Sequence, residues 1–488
     1  MKRPLPQSYF KPSKLIHKFR DPILLCLFLL VVSLDVIESG SIVKTLPGFP
    51  GDLPFTLEIG YIGVGKSDDV QLFYYFFESE GNPKNDPLML WLTGGPGASG
   101  LSAIMQEIGP FTINNANSTV ERQMLELKPY SWTKAANIIF VDQPAGTGFS
   151  YARTSEAYIT NDTLATMHAY QFLRKWLVDH PKFLNNPFYV AGDSYSGIWV
   201  PMIVQKIFND NEVGERPYIN IKGYVLGNPA ADTHDEYNVR AQYANSMALL
   251  SDTIYKSTKE NCHGEYVNVD PNNTLCINDL QVVDKCLARI QVEHILEPFC
   301  NPSPVRRDLK SIDYGSMQIW SLPQVPKQGC RRDNYLSMPL WANRREVREA
   351  LHIPEDLNDI EWVIMNDSLV FNLNRKPISF THNIWSTLAY HRHLLDKKCQ
   401  VLVYSGDHDM RVPYMSTLNW IKALYLLLVD DWRPWFVDEQ VAGYTMEYLK
   451  DQYKMTFATI KGGGHTAPEY KPKECFDMFR RWLDNESL

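Results

Sequence analysis

Gly192-Asp193-Ser194-Tyr195-Ser196-Gly197 follows the apolar run Phe188-Tyr189-Val190-Ala191 and precedes a segment able to start a helix. A serine on a sharp strand-to-helix turn presents its Oγ to solvent, where a base can reach it. Such a turn brings the two backbones close, so small residues are needed two positions either side. Gly192 and Ser196 meet that need. A small-x-Ser-x-small match arises by chance about once in a chain this long at average composition. Its meaning therefore depends on what lies downstream.

A nucleophile on this kind of turn calls for an acid and then a histidine, each on a loop after a strand. Val401-Leu402-Val403-Tyr404-Ser405-Gly406 reads as a buried strand, and Asp407-His408-Asp409-Met410-Arg411-Val412-Pro413 follows it. Met455 to Ile460 reads as another strand, followed by Lys461-Gly462-Gly463-Gly464-His465-Thr466-Ala467-Pro468. A serine hydroxyl is a poor nucleophile until a base takes its proton, which is the task for His465. A carboxylate must fix the imidazole tautomer and stabilise the imidazolium. Asp409, just ahead of a Val-Pro pair, is assigned that role. Asp407 is expected to cap the turn and His408 to be a loop residue. Singly, a Gly-rich loop is a turn and an aspartate after a strand is a cap. Together, in order and at strand ends, they point to catalysis. Pro87 to Leu92 reads as a further short strand, with Thr93-Gly94-Gly95-Pro96-Gly97-Ala98-Ser99-Gly100 after it. Glycines there leave backbone N–H groups free to face a developing oxyanion.

With Glu107-Ile108-Gly109-Pro110, Tyr130-Ser131-Trp132 and the run Asp142 to Tyr151, the chain resembles the serine carboxypeptidase family of the α/β-hydrolase fold. The resemblance covers about residue 45 to the end. It implies an α/β architecture, a mostly parallel central sheet carrying a helical or irregular cap insertion at about 230–382. It implies an oxyanion hole made by the N–H groups of Gly95 and Tyr195, and it supports Ser194, Asp409 and His465 as the triad. Peptidases of the family carry asparagine where Thr93 stands and glutamate where Asp193 stands. That glutamate pairs with the equivalent of Glu107 to hold the C-terminal carboxylate of a peptide, one of the two keeping a proton. Thr93, Gly94, Glu107 and Asp193 are thus the expected substrate-binding residues, and the peptide clamp is altered here.

The replacements are similar to those of the plant serine carboxypeptidase-like acyltransferases. That branch shares Thr-Gly-Gly-Pro-Gly, Gly-Asp-Ser-Tyr-Ser-Gly and Gly-Gly-Gly-His-Thr-Ala-Pro-Glu with this chain. The resemblance implies transfer of an acyl group from a 1-O-acyl-glucose ester to an alcohol or amine through a Ser194 acyl-enzyme. A serine-type carboxypeptidase acting at acid pH is the alternative. The expected partners are a small-molecule donor and acceptor, or a peptide. No cofactor and no metal are expected, because no phosphate loop or metal-ligand spacing occurs. His382, His391 and His393 are expected to be structural.

Net charge is −8, and no basic run follows the first 40 residues, so nucleic acid is not an expected partner. Residues 1–40 read as a secretory signal peptide: a basic stretch, the apolar core Pro22 to Leu34, then Ser39, Gly40 and Ser41. The core is short for a membrane span, while the long basic stretch before it leaves an uncleaved anchor as the alternative. Residues 41–488 are expected to form one domain, free of membrane after cleavage, in the vacuole or outside the cell. Asn117, Asn161, Asn272 and Asn366 are expected glycosylation sites, while the sequon at Asn485 is expected to stay unused. Seven cysteines follow the leader, so at least one thiol is unpaired in a monomer. Spacing does not fix their connectivity. Family resemblance suggests Cys262 with Cys276 and Cys286 with Cys300. The family usually has a cysteine at the place of Ala98, bridged to the equivalent of Cys330. Asn301 to Gln328 reads as an exposed Pro-rich loop holding Arg306-Arg307, where some members are cut. A monomer or a cut two-chain form is expected. Strands are expected at Leu72 to Phe77, Asn137 to Val141 and Ile221 to Leu226, and an amphipathic helix at Met167 to Val178.

Overall fold

Strands buried on both faces need continuous apolar runs rather than alternation. Leu88–Leu92 and Asn137–Val141 have that character, and every residue in them is buried. They lie side by side in a mixed sheet of twelve strands. Its order is Gly40–Val43, Leu57–Val64, Val70–Phe77, Asn137–Val141, Leu88–Leu92, Phe188–Asp193, Ile221–Gly227, Cys399–Gly406, Tyr453–Ile460, Gln440–Lys450, Leu427–Val437. The two-residue strand Tyr151–Ala152 pairs off this path with Val70–Phe77. From Asn137–Val141 to Tyr453–Ile460 the neighbours are all parallel; both flanks are antiparallel. The computed structural model describes residues 40–300, 331–370 and 378–488.

Alternate residues of each central strand feed two cores. Leu88, Leu90 and Leu92 pack with the helices Asp162–Asp179 and Ser196–Glu212. Met89 and Trp91 pack on the other face, against Ile104, Trp132 and the C-terminal helix Pro472–Leu483. The first helix begins before the expected Met167 because the Asn161 side chain caps it, accepting the Leu164 N–H at 2.9 Å.

Between Ile221–Gly227 and Cys399–Gly406 the described chain forms short helices, among them Thr233–Asn238, Arg240–Ser246, Asp252–Asn261, Thr274–Leu287 and Ser337–Ala342. The insertion also holds Ser379–Thr381, which pairs in parallel with Ile159–Asn161. A last helix, Leu388–Leu394, lies beyond the expected end at 382. The bridge Cys262–Cys276 is formed. The expected bridge Cys286–Cys300 is not. Cys286 is a free, exposed thiol near the end of the helix whose first turn buries Cys276, so it has come round to the solvent side. Cys300 is disulfide-bonded, but not to Cys286. Cys399 and Cys475 are buried thiols. The leader, Cys330 and the loop Asn301 to Gln328 lie outside the described residues. Among the described residues no helix is long and apolar enough to cross a membrane.

Candidate active site

The loops that carry Thr93, Ser194, Asp409 and His465 each leave the C-terminal end of a parallel strand. Ser194 follows Phe188–Asp193 with φ 52°, a left-handed conformation rare for a residue with a side chain. Its N–H donates to Gly227 O at 2.8 Å, and its carbonyl accepts from Gly197 and Ala230 N–H at 3.0 and 2.9 Å. These three bonds hold the strained turn. Gly192 is required by close approach: a Cβ there would stand 2.3 Å from Leu92 O.

Ser194 Oγ lies 2.7 Å from His465 Nε2, and His465 Nδ1 lies 2.8 Å from Asp409 Oδ2. Asp409 is fully buried. Its carboxylate also accepts from Asn228 Nδ2 at 2.8 Å, Arg411 N–H at 2.7 Å and Val412 N–H at 3.3 Å. Burial opposes protonation of His465, but the adjacent Asp409 carboxylate outweighs it and the imidazole is raised above its ordinary value. Asp407 Oδ1 accepts the Gly462 N–H at 2.7 Å, so this side chain ties the acid loop to the histidine loop rather than capping its own turn. His408 remains in the loop, its Nδ1 2.5 Å from Asp407 Oδ1. Glu293 O accepts the His465 N–H at 2.7 Å.

Asn228 was not anticipated. It is buried, adopts φ 40°, and accepts the Gly406 N–H through Oδ1 at 3.2 Å while donating to Asp409. Its signal in the sequence is an asparagine directly after the strand between those of the serine and the acid. Asparagine tolerates the left-handed region better than most residues.

The loop Thr93 to Gly97 lies against the nucleophile. A Cβ on Gly94 would stand 2.7 Å from Ser194 Cβ and 2.8 Å from Tyr195 N. Among the described residues, neither the Gly95 nor the Tyr195 N–H has a protein acceptor. Asp142 braces the loop from below, accepting from Ser99 Oγ at 2.7 Å, Gly100 N–H at 2.7 Å and Phe149 N–H at 2.9 Å. Burial pushes Asp142 up to about 6 despite those donors. Tyr195 is anchored by its hydroxyl, which donates to Asp162 Oδ1 at 2.7 Å and meets His382 Nδ1 at 2.6 Å. His382 thus stands beside the residue that follows the nucleophile.

Glu107 and Asp193 face one another as a buried carboxyl pair. Burial and then the Asp193 charge raise Glu107 well above its ordinary value. Burial pushes Asp193 up to about 6, against the opposing influence of His465 and the Gly94 N–H, which reaches Asp193 Oδ1 at 3.2 Å. One proton shared by the pair satisfies both. Glu469, a third buried carboxyl absent from the expected set, lies near enough to add to the Glu107 shift. It accepts from Thr466 Oγ1 at 2.8 Å and from Tyr335 of the insertion. Thr93 Oγ1 and Glu107 Oε2 are buried without a hydrogen-bond partner.

Of the sequon asparagines, Asn117 and Asn272 are exposed. Asn161 and Asn366 are half-buried and use their amides internally, Asn161 as the helix cap and Asn366 in a bond to Gly146 O at 2.7 Å. Among the described residues no group of acids, histidines and cysteines is arranged to hold a metal ion.

This geometry can be set beside known proteins. Serine carboxypeptidase-like 19 of Arabidopsis thaliana is 46% identical, over 93% of this chain and 96% of its own length. Serine carboxypeptidase-like 10 of the same plant is 44% identical, over 95% and 98%. The crystal structure of Kex1(delta)p, a prohormone-processing carboxypeptidase from Saccharomyces cerevisiae, superposes with a TM-score of 0.68 over 92% of this chain and 95% of that one. At 19% identity it shares the α/β-hydrolase fold. The serine carboxypeptidase family pattern matches residues 47–485, and the chain belongs to that family of serine hydrolases.

Proposed function

We propose that this enzyme is a serine carboxypeptidase-like acyltransferase that moves an acyl group from a 1-O-acyl-glucose ester to an alcohol or amine. Ser194 Oγ attacks the ester carbonyl while His465 Nε2, 2.7 Å away, takes its proton. The Gly95 and Tyr195 N–H groups stabilise the oxyanion of the tetrahedral intermediate. Collapse breaks the ester C–O bond, and the sugar oxygen leaves with the proton from His465. The acceptor then gives its proton to His465 as it attacks the acyl-Ser194 carbonyl. A second collapse returns that proton to Ser194 Oγ and releases the product.

One observation carries the choice of transfer over peptide cleavage. At the two places where peptidases of the family hold a peptide carboxylate with an amide and a glutamate, this chain has Thr93 and Asp193. The Thr93 side chain supplies no amide N–H. Asp193, one methylene shorter, spends an oxygen on the Gly94 N–H. The carboxypeptidase reading keeps one argument of its own, the surviving Glu107–Asp193 pair, which would donate its shared proton to a peptide carboxylate at acid pH.

The bridge Cys262–Cys276 supports an oxidising compartment, in keeping with entry into the secretory pathway and residence in the vacuole or outside the cell. Exposed Asn117 and Asn272 are the favoured glycan acceptors.

The deciding assay offers one purified, glycosylated sample two substrates, with Ser194→Ala as control. One is a blocked dipeptide with a free C-terminus; the other is a benzoyl or hydroxycinnamoyl glucose ester with a panel of acceptors. Transfer without peptide cleavage is expected. Peptide cleavage at acid pH with no transfer would replace this reading by the carboxypeptidase one.

A further inference from the structure

The segment Ile364 to Leu369 of the insertion crosses the oxyanion loop and is tied to it at successive residues. Ile364 O accepts the Ser99 N–H at 2.9 Å, Met365 bridges Ala98 antiparallel, and the Asn366 N–H donates to Gly97 O at 3.0 Å. Leu369 is fully buried over Gly97, where a Cβ would stand 2.9 Å from its Cδ1. The Asn366 side chain reaches a second loop. Its Nδ2 donates to Gly146 O at 2.7 Å, within the Asp142 to Tyr151 segment, while its Oδ1 accepts the Ser368 N–H at 3.0 Å and orients the amide. The strap therefore grips the oxyanion loop on one side and the loop that braces it on the other. Gly95 and Gly97 hold positive φ values of 114° and 94°, which glycine adopts freely, so local preference does not fix this loop and its contacts with the strap must.

We propose that Asn366 is a positioning residue for the oxyanion loop and carries no glycan, although Asn366-Asp367-Ser368 is a sequon. A glycan is built on Nδ2, the atom that here lies between two loops. The amide is half-buried against Gly146, so a sugar on Nδ2 would have to displace the packing around that contact. Ala98 offers no side chain to tie the loop, so at that position it is held by the backbone contacts of this strap. The inference rests on the reading of the Gly95 N–H as an oxyanion donor.

The test uses the full secreted enzyme from a glycosylating host as wild type, Asn366→Asp, Asn366→Gln, Ser368→Ala and Ser194→Ala. Two quantities are read: the mass of the peptide containing residue 366, and the burst of p-nitrophenol from p-nitrophenyl acetate, split into half-saturation and acylation rate. Asn366→Asp turns the donor into an acceptor facing Gly146 O. Misplacement of the oxyanion loop should slow acylation by about 10- to 100-fold with half-saturation unchanged. Asn366→Gln keeps the amide but displaces it, and should fall between, so the test survives if the aspartate variant does not fold. Ser368→Ala destroys the sequon and keeps the Asn366 bonds; it should match wild type in rate and, like wild type, carry no glycan mass. A glycan on the wild-type peptide overturns the proposal, as does wild-type acylation in both Asn366 variants. A burst that persists in Ser194→Ala would instead overturn the reading of the site itself.

Discussion

Asp409 is useful only if its charge stays aimed at His465 Nδ1, and Asn228 has much to do with that. Its amide donates to Asp409 Oδ2 and accepts from Gly406, so one side chain joins the acid to the strand that delivers it. Asn228→Asp keeps the shape and tolerates the φ of 40°, but places a second negative group against Asp409. Added negative charge favours the imidazolium, which cannot accept the Ser194 proton. The ascending limb of kcat/KM against pH should therefore move to higher pH, with about a 10-fold loss at mildly acidic pH. A profile that falls evenly at every pH would show Asn228 to be structural only. Neighbouring side chains differ in how far the sequence exposed them. Ser194, Asp409 and His465 carry chemistry in their type and order, whereas Asn228 and Glu469 are ordinary polar residues until packing puts them beside a carboxylate.

At the scale of elements, continuous apolar runs identified the strands behind each catalytic loop. Asn137–Val141 has the expected bounds, and Ile221–Gly227 and Phe188–Asp193 extend the expected runs by one and two residues. The hairpin Leu427–Val437 with Gln440–Lys450 escaped notice because its residues are largely exposed and mix charges with aromatics. Disulfides were legible only in part. Cys262 and Cys276 are brought together by adjacent packed helices, while Cys286 is turned to solvent. Chemical unfolding should separate the two cases. Cys262→Ser with Cys276→Ser opens a loop closed across a separation of 14 residues. That change should cost about 3 kcal/mol by loop-closure entropy. Cys286→Ser should change stability by less than about 0.5 kcal/mol, as expected of an exposed residue. A large loss from the Cys286 change would mean that this thiol is bonded in the folded enzyme.

Across the whole molecule the buried acids set how stability depends on pH. Burial raises Asp142 and Asp193 to about 6 and Glu236 to about 7, and raises Glu107 and Glu469 as well. A carboxyl that holds its proton more tightly folded than unfolded adds stability below its ordinary value and loses it as pH rises through the folded value. Burial lowers His391 to about 3 and lowers His168 and His294, and these act oppositely as the unfolded imidazoles lose their protons. The five carboxyls outweigh the three imidazoles. The thermal midpoint should be higher at about pH 5 than at about pH 7.5. A higher midpoint at the neutral value would mean that these acids are ionised at no cost.

The sequence by itself determined the α/β sheet, the order serine, aspartate, histidine, and the glycine turns that bring their loops together. Those features are local: apolar runs, small residues at tight turns and chemically distinctive side chains, each visible within a few positions. Tertiary structure alone decided which groups stand around them. Asn228 reaches Asp409, His382 meets Tyr195, Glu469 joins the Glu107 pair, and Asn366 spends a sequon amide on Gly146. These contacts join residues at least 181 positions apart, and most involve the insertion or a strand end. They follow from how the sheet's C-terminal edge gathers its loops, a distance relation that no periodicity or motif along the chain records.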